Sequence, residues 1–209
     1  MAVGDGSPGN WEIFQFRDAQ LLAPNQWLLS HRLRGQAGSD GIMPEVWPRG
    51  SIVVLMNGMP TQIALKAVER RLNRHYRIGP ARRPYDDPSY IYRQGAFDGN
   101  GLRPYRPAHL RAEGTPGSDI GLSWVRRTRI EGDSWDGLEV PLGEESERYL
   151  VRVQQGETVI RETTTATPVW TYTAAVQGDD AISGAFDIHV AQVSASYGPG
   201  PFARLTLGA

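Results

Sequence analysis

The sequence predicts an all-β chain, with a small N-terminal β domain followed by a seven-stranded β-sandwich that carries a long insertion between its second and third strands. Three observations predict it. Apolar residues recur at every second position in short runs, the period of a strand with one buried face. The 24 glycines and 15 prolines fall between those runs, where turns belong. Behind a Gly/Pro-rich stretch at 94–107, seven strand-like segments fit into about 105 residues, the number and span of a sandwich. The expected domains are 1–98 and 104–209.

Residues 11–16 are apolar and aromatic and form the first expected strand. Trp27, Leu29, His31 and Leu33 alternate with Leu28, Ser30, Arg32 and Arg34, a clearer second strand. Gly35 and the turn chemistry of GQAGSDG end it. Residues 51–56 read as a short apolar strand closed by Asn57-Gly58. Residues 63–76 are ambiguous. Val68, Leu72 and Tyr76 have helical spacing, whereas HYRIGP reads as a strand before a Gly-Pro stop. Asp86-Asp87-Pro88 marks a turn, and YIY a further strand.

In the second domain the strands are expected near 106–113, 118–128, 148–155, 158–163, 167–174, 185–194 and 200–207. Ile120, Leu122 and Trp124 alternate toward one face; so do Tyr149, Val151 and Val153, and Phe186, Ile188 and Val190. Trp170 and Tyr172 share a face of the fifth strand. No internal repeat, heptad or low-complexity tract interrupts this pattern.

The insertion begins inside DIGLSWVRRTRIEGDSWDGLEVPL, residues 119–142. If the alternation of the second strand continues, Arg126 falls on the inward face. An unpaired guanidinium cannot stay there, because burying a lone charge costs several kcal/mol or more. Either the strand ends or bulges at Val125, or Arg126 meets a carboxylate; Glu144, Glu145 and Glu147 are the expected partners. The insertion reads as a contact device built on Arg126, Arg127, Arg129, Asp133, Trp135 and Asp136. Trp135 either reaches a partner or folds back to staple the loop onto the sandwich.

Composition narrows the function classes. A net charge of −1 gives no global field toward nucleic acid or an anionic membrane. The absence of cysteine excludes disulfides, thiolate zinc sites and Cys nucleophiles. The longest purely apolar run, residues 52–56, is far short of a membrane helix, and the polar opening MAVGDGSPGN has no signal-peptide character and reads as a loop or the edge of a piece of a longer protein.

Catalysis is not expected. The four histidines stand apart, and no G-x-S-x-G elbow places a serine. Asp133, Asp136 and Glu139 have the residue type for glycosidic chemistry or calcium, but acids beside three arginines are expected to form ion pairs. No metal or other cofactor is implied. Residues 66–83 hold seven basic side chains against one acid, with Arg70, Arg71, Arg74 and Arg77 interleaved with His75 and Tyr76. This patch reads as a solvated or partner-facing surface, and direct nucleic-acid binding is not expected.

Pro107, Leu122-Ser123-Trp124, Tyr149-x-Val151, Phe186-x-Ile188-x-Val190 and Gly198-Pro199-Gly200-Pro201 together make the second domain resemble a fibronectin type III domain. It departs from that pattern in the long insertion and in Phe186, where such domains usually carry a tyrosine. Across most of residues 3–201, VGDGSPGNWEIFQF, WLLSHRLRGQAGSD, RIGPARRPYDDPSY, GLRPYRPAHLRA, SWVRRTRIEGDSWDGLEVPLGEESERY and HVAQVSASYGPGP resemble the C-terminal part of the tail-tip, host-specificity or baseplate hub protein of gene transfer agents and related siphophages. In that family a glycosidase-related barrel lies further toward the N-terminus, and this chain is too short to include it. The resemblance implies a virion structural role at the distal tail, after assembly in the bacterial cytoplasm, in host contact or DNA-delivery gating. The implied partners are other tail or baseplate subunits, with a host-surface glycan or receptor as a further contact. The alternative is a carbohydrate-binding or polysaccharide-processing accessory module, which requires exposed aromatics such as Trp135 with Trp124 or Trp170 along a groove.

Overall fold

The computed structural model describes residues 1–58, 60–132 and 140–208. The chain is all-β and divides into two compact units, Met1–Gly101 and Leu102–Ala209.

In the first unit, β1 (Ala2–Gly4), β2 (Trp11–Ala23), β3 (Gln26–Gln36) and β4 (Ile52–Val54) form an antiparallel sheet in the order β3-β2-β1-β4. The first two expected strands are therefore longer than the aromatic runs that announced them. Pro24-Asn25 makes the tight connection: proline presets the second position, and Asn25 takes φ +62°, which asparagine tolerates better than most residues. β1 pairs with β4 on one side and on the other reaches only the base of β2, from Trp11 to Ile13, so the distal parts of β2 and β3 pair with each other alone. Gly38 follows at φ +77°, where a Cβ would lie 2.1 Å from the Asn100 carbonyl oxygen; only glycine fits. The ambiguous segment resolves into a single 3₁₀ turn at Ala67–Glu69 and β5 (Arg74–Ile78), which pairs with β6 (Ile91–Gly95) as a separate hairpin.

The second unit is a sandwich. One layer is β7 (Ala108–Glu113), β8 (Ile120–Val125) and β11 (Val169–Tyr172), in the order β11-β8-β7. The other is β10 (Thr158–Thr165), β9 (Tyr149–Gln155) and β12 (Phe186–Ser194), closed by β13 (Gly198–Pro199) and β14 (Ala203–Leu207), both of which pair with β12. Ile120, Leu122 and Trp124 from β8 meet Tyr149, Val151 and Val153 from β9 and Phe186, Ile188 and Val190 from β12 in one core. Trp124 packs edge-on against Tyr149 at 5.2 Å between ring centroids.

The opening, expected to be a loop, forms buried β1 against β2 and β4, and a helix not expected from the sequence follows β11. This helix, α1 (Ala174–Asp179), is capped by the Thr173 side chain accepting from the Val176 N–H. Two contacts hold it. Buried Gln177 donates to the Ser118 and Tyr172 carbonyls and accepts from the Gly117 N–H. Asp180, at the helix C-cap, takes both arms of Arg161 at 2.7 and 2.8 Å and the Tyr172 hydroxyl at 2.6 Å.

Candidate docking surface

Glu12 lies on the inward face of β2 and is only 1% exposed. A carboxylate there must be paired and hydrogen-bonded. Arg34 supplies that from the neighbouring strand β3, with Nε donating to Oε1 at 2.9 Å and Nη2 to Oε2 at 2.7 Å. The Gly35 N–H donates to Oε1 at 3.2 Å, and the Trp47 indole N–H to Oε2 at 2.6 Å. Arg34 also donates to the Glu45 and Pro44 carbonyls at 2.7 and 2.8 Å. The cluster thus pins the segment after β3 onto the sheet. Burial pushes the Glu12 pKa up, and the hydrogen bonds from Arg34, Trp47 and Gly35 outweigh it, so the carboxyl sits below its ordinary value.

Between this pinned segment and the sheet lies a groove of about 440 Å³. Val3, Phe14 and Val53 line it together with the Glu12–Arg34 pair. Trp27, Leu28 and Leu29 come from β3, and Val46 and Trp47 from the pinned segment. Several of these are open to solvent: Trp27 is 60% exposed and Val46 77%. Arg32 and Glu45 also line the groove.

The exposure extends to the whole unit. Among the described residues, nineteen of the twenty-three exposed large hydrophobic side chains lie in Met1–Gly101. The buried apolar residues of that unit are Ala2, Val3 and Phe14, whereas the sandwich buries thirteen. Large apolar patches are characteristic of surfaces that contact proteins, membranes or ligands, and of surfaces prone to aggregate.

The residues singled out from the sequence occupy other positions. β8 ends at Val125, so Arg126 leaves the strand rather than entering the core. The expected pairing of Arg126 with Glu144, Glu145 or Glu147 is corrected: Arg126 donates to the Val140 and Pro141 carbonyls at 2.9 and 3.1 Å. Arg129 takes Glu144 instead, at 3.0 Å, and donates to the Gly143 carbonyl at 3.0 Å. Arg127 stacks on the Tyr105 ring at 4.8 Å. All three arginines therefore hold the two ends of the insertion down. Asp133, Trp135, Asp136 and Glu139 lie outside the described residues.

The basic patch is internally engaged as well. Arg70 donates to the Asp98 carbonyl at 2.8 Å, Arg71 reaches the Asp98 carboxylate at 3.3 Å, and Arg77 donates to the Tyr85 carbonyl at 2.6 Å. Arg74 pairs with Glu69. An aromatic platform of Trp124 and Trp170 does not form: Trp124 is 4% exposed, and Trp170 packs against the core, stacked on Tyr172. Among the described residues no helix is long and apolar enough to cross a membrane.

The buried charge that demands a partner is Glu12 rather than Arg126. Its signal in the sequence is an acid at an inward position of WEIFQF, with Arg34 available on the next strand.

Residues 1–54 match the model of a family described as Rcc01698-like, C-terminal. Every residue lining the groove falls inside that segment. No curated protein matches the chain. Among solved structures, the extracellular domains d3–d4 of rat CD45 align with 98% of this chain and 99% of theirs at 11% identity and a TM-score of 0.37. A structure described as FN3tt mut covers 49% of this chain and 92% of its own at 15% identity, with a TM-score of 0.33. The FN5 domain of Drosophila Lar covers 51% and 98% at 15% identity, with a TM-score of 0.29.

Proposed function

We propose that the chain is a non-enzymatic structural module of a phage-like tail tip or baseplate of the gene-transfer-agent type, working in host contact or DNA-delivery gating. It is made in the bacterial cytoplasm and ends in the distal tail, packed against other tail subunits. The observation that carries this reading is the contrast between the units. The sandwich closes a full core of its own, whereas the first unit leaves most of its large apolar side chains in water. A unit of that kind is completed by neighbours, as in a large assembly. The match of residues 1–54 to the Rcc01698-like C-terminal family supports the same reading, as do the tail-tip segments of the sequence.

A structural rather than catalytic role is supported by the state of Glu12. The carboxylate in the groove accepts four hydrogen bonds, two of them from one guanidinium, and so is poorly placed to give or take a proton. Repeated round a symmetric tip, individually modest contacts would add up by avidity.

Electron microscopy of intact particles carrying an epitope-tagged copy of this chain tests the proposal. Label and density are expected at the distal end of the tail. Particles that lack the chain, or carry it at the head, would refute it.

A further inference from the structure

We infer that the groove of the first unit receives a chain segment of another protein, apolar along its length, with one carboxylate directed to Arg32 and one cation directed to Glu45. The inference deepens the structural role proposed above, and rests on it for the partner being a neighbouring subunit.

The chemistry of the occupant follows from what the groove leaves unsatisfied. Its floor and rim are mostly aliphatic and aromatic, and Trp27, Leu28, Val46 and Val53 are half or more exposed. Covering them favours a ligand with bulky apolar side chains. Four charged side chains line the same space. Two of them, Glu12 and Arg34, are spent on each other, and two further N–H groups of Arg34 go to the Glu45 and Pro44 carbonyls. Arg32 on β3 and the carboxylate of Glu45 on the pinned segment are different. Both are exposed, and among the described residues neither side chain makes a hydrogen bond or ion pair. One free cation and one free anion, on different walls of an apolar groove, set the order of charges an occupant must carry, and with it the direction in which the segment lies.

A glycan fits less well. The Trp47 indole N–H is already bound to Glu12, and the aliphatic walls offer few groups for hydroxyls.

The test is selection of a displayed library of random peptides on the full chain. The wild type is expected to enrich apolar peptides that carry an acid and a base in a fixed order. Arg32→Glu should weaken those peptides roughly tenfold or more. The double exchange Arg32→Glu/Glu45→Arg should select the opposite order of charges, a reversal that a purely structural role for either residue would not produce. Circular dichroism of the variants checks that they fold, as substitutions at exposed positions should.

The inference is overturned if no peptides are enriched or if the selected sequences ignore both exchanges. It is overturned equally if a glycan array competes for the groove, or if the chain forms a dimer that Arg32→Glu dissolves, which would make a second copy the occupant. Charge reversal in the peptides combined with absence of the chain from particles would refute the tail-tip role alone. Tail localisation with charge-indifferent peptides would refute this inference alone.

Discussion

Replacing Glu12 with glutamine keeps the shape of the side chain and removes the charge at the groove floor. The consequence follows from the four donors around it. An amide offers one acceptor oxygen and one NH₂ group. If the oxygen faces Arg34 Nε and the Gly35 N–H, the NH₂ confronts Arg34 Nη2 and the Trp47 indole; the other orientation exchanges the conflict. Two hydrogen bonds are lost either way, at least one of them charge-assisted and worth about 1.5–3 kcal/mol. Breaking a buried ion pair costs about 3–5 kcal/mol. The Arg34 side chain is 29% exposed, so water recovers part of that, and about 3 kcal/mol remains.

Hydrogen exchange reads the effect locally. The Gly35 amide and the segment through Trp47 should lose protection by about 100-fold, the exchange equivalent of that energy. A loss below about fivefold, roughly 1 kcal/mol, would refute the claim that Glu12 holds this segment down. The double variant Glu12→Leu/Arg34→Met should recover much of the loss, because no charge is then stranded. Acid gives an independent check. The folded pKa of Glu12 lies below its ordinary value of 4.5, so the unfolded chain binds its proton first as pH falls. The stabilisation is complete above about pH 4.5 and is lost as pH drops through the folded pKa, a step that Glu12→Gln should lack.

The other predictions concern the sandwich. Arg129→Ala strands Glu144, whose side chain is 2% exposed, and should cost about 3 kcal/mol in urea unfolding. Among the described residues Arg126→Ala loses bonds to two carbonyls and should cost about 1–2 kcal/mol, so the reverse ranking would contradict the geometry. Trp124→Ala should destabilise the second unit by about 3–5 kcal/mol, and a melting shift of only about 2 °C would exclude Trp124 from the core. Burial holds His189 below its ordinary 6.5; Arg204 and Arg152, its partners across β14 and β9, act in the same sense, and Asp187 opposes them. Its contribution to stability is therefore present above about pH 6.5 and declines as pH falls below it, and His189→Gln should flatten that slope in calorimetric melts taken across the range.

How far the sequence could be read varied with the range of the interaction. Alternation in β8, β9 and β12 is a property of neighbouring residues, so the inward sets led by Ile120, Tyr149 and Phe186 were visible before any fold was known. Pro24-Asn25 set the β2–β3 turn by local chemistry, although the length of those strands depended on pairing between them. α1 was missed because its six residues carry a weak signal, the Thr173 cap, and are held by Gln177 and Asp180 through contacts with Gly117, Ser118 and Arg161.

By itself, then, the sequence determined the all-β class, the strands of the sandwich and the residues that fill it, because a pleated strand with one dry face writes its period into adjacent positions. The tertiary structure alone decided the fate of the charges. Whether an arginine is free depends on which carbonyls and carboxylates the fold brings within about 3 Å, a distance that sequence separation does not encode. Arg126, Arg127 and Arg129 met carbonyls, a tyrosine ring and a carboxylate at the ends of the insertion, Glu12 and Arg34 closed on each other, and the apolar groove opened between β3 and the segment pinned beside it.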